Sequence, residues 1–131
     1  MPRNIGRFTI LVHDYDEAKA FYVNQMGMDV IADQPAHPHR FVHLGYRGQY
    51  PVGIWLWEAD DETRHIVGNQ AGDHPLLVLY TKDCGADYDN MRANGVEFLN
   101  EPTQTKTEIY VHGLDLYGNA FTLVEMLEPG S

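Results

Sequence analysis

Three short stretches pair side chains at the spacing of a β-strand, and each pair could do chemistry. "RFVHLGY" offers Phe41 and His43, "TEIYVHG" offers Tyr110 and His112, and "GIWLWE" offers Trp55 and Trp57. Residues two apart in a strand share a face. Each stretch therefore shows its pair on one side, and on the other Val42 with Leu44, Ile109 with Val111, or Ile54 with Leu56. "RFTILV" adds Arg7, Thr9 and Leu11 on the same logic, and "AFTLVE" adds Thr122 and Val124. The rings of Phe41, Trp55, Trp57 and Tyr110 are flat walls for stacking or cation–π contact. Arg7 is a two-pronged clamp for a carboxylate or phosphate. Thr9 and Thr122 bring hydroxyls, and His43 and His112 are the candidate general bases. Apolar walls with sparse polar points describe a small-molecule site.

Each assignment has a structural competitor. The tryptophans would equally fill the open face of a sheet or a dimer interface. Arg7 at a strand's first residue could face water, and strand histidines are commonly hydrogen-bonded rather than catalytic. A one-residue slip of register would turn every one of these side chains outward. His37 and His39 in "AHPHR" fall in a loop. His74 precedes a strand beginning near Leu76, and a displaced metal cluster of His43, His74, His112 and Glu125 is the alternative arrangement.

The bulk composition narrows the partners. The chain has 131 residues, enough for one domain with a real core. Nine Lys and Arg against 19 Asp and Glu give a formal charge of −10. Phosphate backbones and anionic membrane would be repelled, so neither nucleic acid nor membrane is an expected partner. No apolar run approaches the roughly 18 residues of a membrane span. "MPRNIGRFTILVHDYDEA" holds too short an apolar patch for a signal peptide, and a cytoplasmic protein is expected. Cys84 is the single cysteine and so has no internal disulfide partner; it reads as a small residue at a strand-to-helix turn, with a thiol activated by the helix start as the alternative.

The elements that must carry the pairs occur twice. "FTILV" is a strand, and "HDYDEAKAFYVNQMG" a helix capped by Asp14 or Asp16 and ended by Gly27. "DVIAD", "RFVHLGY" and "VGIWLWE" are three further strands. The second half repeats the order: strand "PLLVLYT", helix "KDCGADYDNMRANG" with Asp83 at its start and Gly95 at its end, then "VEFLNEP", "TEIYVHGL" and "NAFTLVE". Asp14 answers Asp83, Gly27 answers Gly95, and Phe41/His43 answer Tyr110/His112, at offsets of 68 or 69 residues. The reading is a single α+β domain over 1–131, with one βαβββ module at about 5–58, a polar linker at 59–74 and a second module at about 75–127. Two such sheets side by side would form a cup, with the helices on its convex face.

With this repeat in hand, "VHDYDEAKAFYVNQMGM" and "LDLYGNAFTLVE" are similar to the strand-helix opening and the "D-P-D-G-N…E-L" ending of the vicinal oxygen chelate superfamily. That superfamily includes glyoxalase I, bleomycin-resistance proteins and extradiol dioxygenases. The resemblance runs from about Arg7 to Met126, with Asp115, Gly118 and Asn119 of the ending in place. It implies a divalent metal such as zinc, nickel, iron or manganese held by four strand residues. Carried over, those positions are Arg7, Trp55, Leu76 and Thr122. A guanidinium repels a cation, and indole and isobutyl groups offer no donor. The expectation is a metal-free member binding an aromatic or anionic ligand among Arg7, Thr9, Phe41, His43, Trp55, Trp57, Tyr110, His112 and Thr122. The alternatives are a lactoylglutathione lyase-like isomerase or a dioxygenase with relocated ligands, and a metal-free catalyst using His43 or His112. The resemblance also implies a homodimer.

Overall fold

The computed structural model describes residues 2–128. The fold is α+β, and the chain divides into two compact units, residues 1–67 and 68–131. In the first unit the strands are β1 (Arg7–Val12), β2 (Asp29–Gln34), β3 (Phe41–Gly45) and β4 (Gly53–Glu58). They form one sheet in the order β1-β4-β3-β2, with β1 parallel to β4 and the other pairs antiparallel.

Helix α1 (Tyr15–Ala20) starts at Asp14, whose carboxylate accepts the Glu17 N–H at 2.8 Å. This satisfies a donor that the helix itself leaves unpaired. At Phe21 the helix widens into a π-helical turn over Phe21–Gln25, closed by the Met26 N–H on the Phe21 carbonyl. Both neighbouring aromatics, Phe21 and Tyr22, are buried there. Gly27 follows at φ 76°. The helix covers Ile10, Val12, Val42, Leu44, Ile54 and Leu56, all essentially inaccessible to solvent. Full burial of such a side chain contributes about 1.5–3 kcal/mol, so this face holds the unit together. Alternation then puts Arg7, Thr9, Leu11, Phe41, His43, Trp55 and Trp57 on the opposite face. Gly53 has no room for a side chain, since a Cβ there would lie 2.0 Å from the Leu44 carbonyl oxygen.

A charge cluster ties this unit's second strand to its helix. Asp33 accepts from Lys19 Nζ at 2.7 Å and from Arg40 Nε and Nη2 at 2.9 and 2.8 Å, while Arg40 Nη1 reaches Asp16 at 2.8 Å. The hydrogen bond from Arg40, then that from Lys19, holds the Asp33 carboxyl well below the usual carboxylate range. A carboxyl with a lower pKa folded than unfolded adds stability above its ordinary pKa, and that stability is lost as pH falls toward the folded value. Asp33→Asn should therefore lower the urea midpoint at neutral pH and flatten its decline between about pH 5 and pH 2. An acid decline as steep as that of the unsubstituted chain would contradict this.

In the second unit, β5 (Leu77–Tyr80) leads to α2 (Cys84–Ala93), which is capped by Asp83 accepting the Ala86 N–H at 3.0 Å. β6 (Glu97–Phe98), β7 (Thr103–Gln104), β8 (Glu108–Leu114) and β9 (Ala120–Met126) complete the unit. The order is β5-β9-β8-β6, with β7 also on β8 and only β5–β9 parallel. "VEFLNEP" is thus not one strand: a two-residue strand forms at Glu97–Phe98, and Thr103–Gln104 form a further one after Pro102. Proline has no N–H to give a ladder. Phe98 packs edge-on against Tyr88 of α2 and Phe121 of β9, at 4.8 and 5.7 Å between centroids.

The turn between β8 and β9 is built from buried polar groups. Asp115 Oδ1 accepts the Tyr117 and Asn119 N–H groups at 3.0 and 2.8 Å, and Oδ2 accepts Asn119 Nδ2 at 2.9 Å. Gly118 sits at φ 103°, a conformation that side chains disfavour. Asn119 Oδ1 in turn accepts the Gln70 N–H at 3.3 Å. The residues of the "DLYGN" ending are therefore structural in this chain.

Candidate functional site

The first unit's open sheet face brings six of the predicted residues into one cluster. Register sets Thr9 beside Trp55 and Trp55 beside His43, a row across three strands. Directly paired side chains on one face lie about 4.5–5.5 Å apart at Cβ. Trp55 and Trp57 meet edge to face at 4.7 Å, and Phe41 lies 6.3 Å from Trp55 and 6.2 Å from His43. Arg7 reaches over this floor, its Cζ 4.8 Å from the Phe41 ring centroid and 4.8 Å from that of Trp55. Two such contacts hold the guanidinium over aromatic surface. His39, read from the sequence as a loop residue, packs at a tilt against Trp57, 4.2 Å between ring centroids. That contact is long-range, and no local pattern announces it.

Two buried polar atoms of this face lack partners. Trp55 Nε1 and His43 Nε2 are buried with no hydrogen-bond partner in the structure. Arg7 makes no ion pair among the described residues. His43 is 6% exposed, and burial, then the nearby Arg7 charge, pushes its imidazole below the ordinary histidine pKa. Both effects favour the neutral ring, which gives or takes one hydrogen bond at Nε2 according to its tautomer.

The second unit carries the other predicted residues on its own open face. Val78 pairs with Thr122 and Thr122 with His112, repeating the row of Thr9, Trp55 and His43. Thr122 Oγ1 and His112 Nδ1 are 2.9 Å apart, and the His112 N–H donates to Asn100 Oδ1 at 3.1 Å. Tyr110 lies 5.5 Å from the His112 ring. Val78 and Tyr80, on the edge strand β5, are 54% and 75% exposed.

Several alternatives do not survive this geometry. Glu125 Oε1 accepts the Cys84 N–H at 2.9 Å, so it serves the start of α2 and not the open face. His74 lies in a turn before β5 and is exposed. The displaced cluster of His43, His74, His112 and Glu125 thus loses two members. Cys84 is fully buried, and burial, helped by Glu125 and nearby aspartates, raises its thiol pKa, which is the opposite of activation. The positions that the family resemblance assigns to a metal hold Arg7 over two rings, Trp55 within them, Leu76, and Thr122 bonded to His112. These side chains do not fit a divalent metal. Among the described residues no three His, Cys, Asp or Glu side chains are grouped to hold one. No helix among them is long and apolar enough to cross a membrane.

Comparison with known proteins places this fold. The model of the Glyoxalase/Bleomycin resistance protein/Dioxygenase superfamily matches residues 4–123, and the chain belongs to that superfamily. It is 34% identical over 129 residues to an uncharacterized protein of Shewanella frigidimarina (strain NCIMB 400), covering 96% of each chain. Its structure is similar to that of UcmS2, at 28% identity and TM-score 0.83, covering 95% of this chain and 98% of that one. It is also similar to TnmS3, an antibiotic binding protein from Streptomyces sp. CB03234, at 25% identity and TM-score 0.80, covering 96% and 98%.

Proposed function

We propose that this chain is a metal-free small-molecule-binding member of its superfamily, taking a planar aromatic ligand on the face built by Trp55, Trp57 and Phe41. The observation that carries the reading is the packing of Arg7 and Trp55, which stand at two of the positions where a metal member would need ligands, with Phe41 and Trp57. Aromatic surface with few, oriented polar groups suits burial of a flat ring system. The likeness to an antibiotic binding protein supports binding over catalysis. A homodimer fits the exposed Val78 and Tyr80, apolar surface that a second copy would cover. The lone buried Cys84 fits the reducing cytoplasm.

The test is titration of tryptophan fluorescence with planar aromatic compounds in the presence of a chelator. Saturable quenching, retained when Trp57 is replaced by Phe so that Trp55 is the sole reporter, supports the reading. No saturable response from any ring system would overturn it.

A metal-free catalyst has one observation in its favour. The pair of His112 and Thr122 could pass a proton at Nδ1. A turnover that depends on His112 and persists in chelator would select this second reading.

A further inference from the structure

Resting on the binding reading above, we infer that the ligand is an aromatic acid: a planar ring carrying a carboxylate, held by Arg7 with its ring on the floor of Trp55 and Phe41. The donor balance of this face is the reason. Arg7 has only donors, the indole N–H of Trp55 is a donor, and a neutral His43 can donate from Nε2. Trp55 Nε1 and His43 Nε2 are buried without partners, and their strands set the two residues side by side. No carboxylate from β1, β3 or β4 shares the face, because the acid of β4, Glu58, follows the parity of Ile54 and Leu56.

β2 brings two acids, and each is already committed. Asp29, paired with Gly45 and so on this face, accepts the Arg47 N–H at 3.2 Å and lies 3.4 Å from Arg47 Nη2. Asp33 of β2 takes Lys19 and Arg40. In a chain of net charge −10, this face thus keeps one cation without an acid. A buried donor without an acceptor costs free energy, and an acceptor-rich ligand recovers it. The guanidinium fork matches a carboxylate in two-pronged geometry while lying against the rings. A cationic ring system would meet Arg7 as a like charge.

The experiment compares three probes of one ring: naphthalene carboxylate, methylnaphthalene and naphthalene methylammonium, by calorimetry and tryptophan quenching. Each is run on the full chain and on its Arg7→Met and Arg7→Lys variants. The expected result is a preference for the carboxylate over the ammonium of roughly tenfold to a hundredfold. Arg7→Met should abolish the preference, and Arg7→Lys should keep part of it. Methylnaphthalene, which has no charge for Arg7 to read, measures ring binding in each variant separately from the preference. The chain's overall negative charge favours the ammonium, so a preference for the acid cannot come from bulk attraction. Equal binding of all three probes overturns the inference and leaves the aromatic site standing. A preference that survives Arg7→Met overturns it as well, since another group then reads the charge. If no probe binds, the binding reading falls and this inference with it.

Discussion

Replacing Trp55 by alanine should weaken binding of a planar aromatic ligand by about 30-fold or more, which corresponds to about 2 kcal/mol, the loss expected for a central aromatic anchor. Trp55 is the hub of the face. It touches Trp57, Phe41 and Arg7, and stands in register with Thr9 and His43. Its removal takes away the ring surface and also one of the two rings that Arg7 lies over. Trp55→Phe keeps a flat ring and should lose much less. Calorimetry is the proper readout, because the substitution deletes a fluorophore. An alanine variant that binds within about twofold of the original would place the ligand elsewhere.

The second large effect concerns stability. Asp115→Ala should destabilise the second unit by about 3 kcal/mol, because three donors lose a charged acceptor at a buried turn. Asp115→Asn keeps the shape and one carbonyl oxygen, and should cost roughly half as much. Urea unfolding with an unchanged slope measures both. A loss below about 0.5 kcal/mol would mean that water replaces the carboxylate freely at this turn.

These two residues show how unevenly the sequence reports its structure. The open face was legible because alternation is a strict period. Burial of Val42, Leu44, Ile54 and Leu56 against a helix leaves Phe41, His43, Trp55 and Trp57 nowhere else to go. The caps at Asp14 and Asp83 and the glycine at the end of α1 were legible for similar reasons, since each is a local rule with one residue type behind it. What escaped is non-local. Glu125 looked available until α2 was seen to start beneath it, and His39 looked idle until its loop folded onto Trp57. The π-helical turn at Phe21 escaped too, because a widened helix keeps nearly the same apolar pattern as an ordinary one.

The partner state of Trp55 Nε1, His43 Nε2 and Arg7 could not be read from the sequence at all. A missing hydrogen bond or ion pair is a property of packing. Yet those three groups give the face its character as a donor-rich aromatic floor.

Ligand binding without the family's metal is the central proposal for this superfamily member. The measurement that bears on it most directly is the metal bound per chain after dialysis against zinc, nickel, iron and manganese in turn and removal of the excess. The arrangement of Arg7, Trp55, Leu76 and Thr122 predicts less than about a tenth of an equivalent of each, with ligand binding unaltered by chelator. Close to one equivalent of any of them, released by chelator together with the bound ligand, would contradict it.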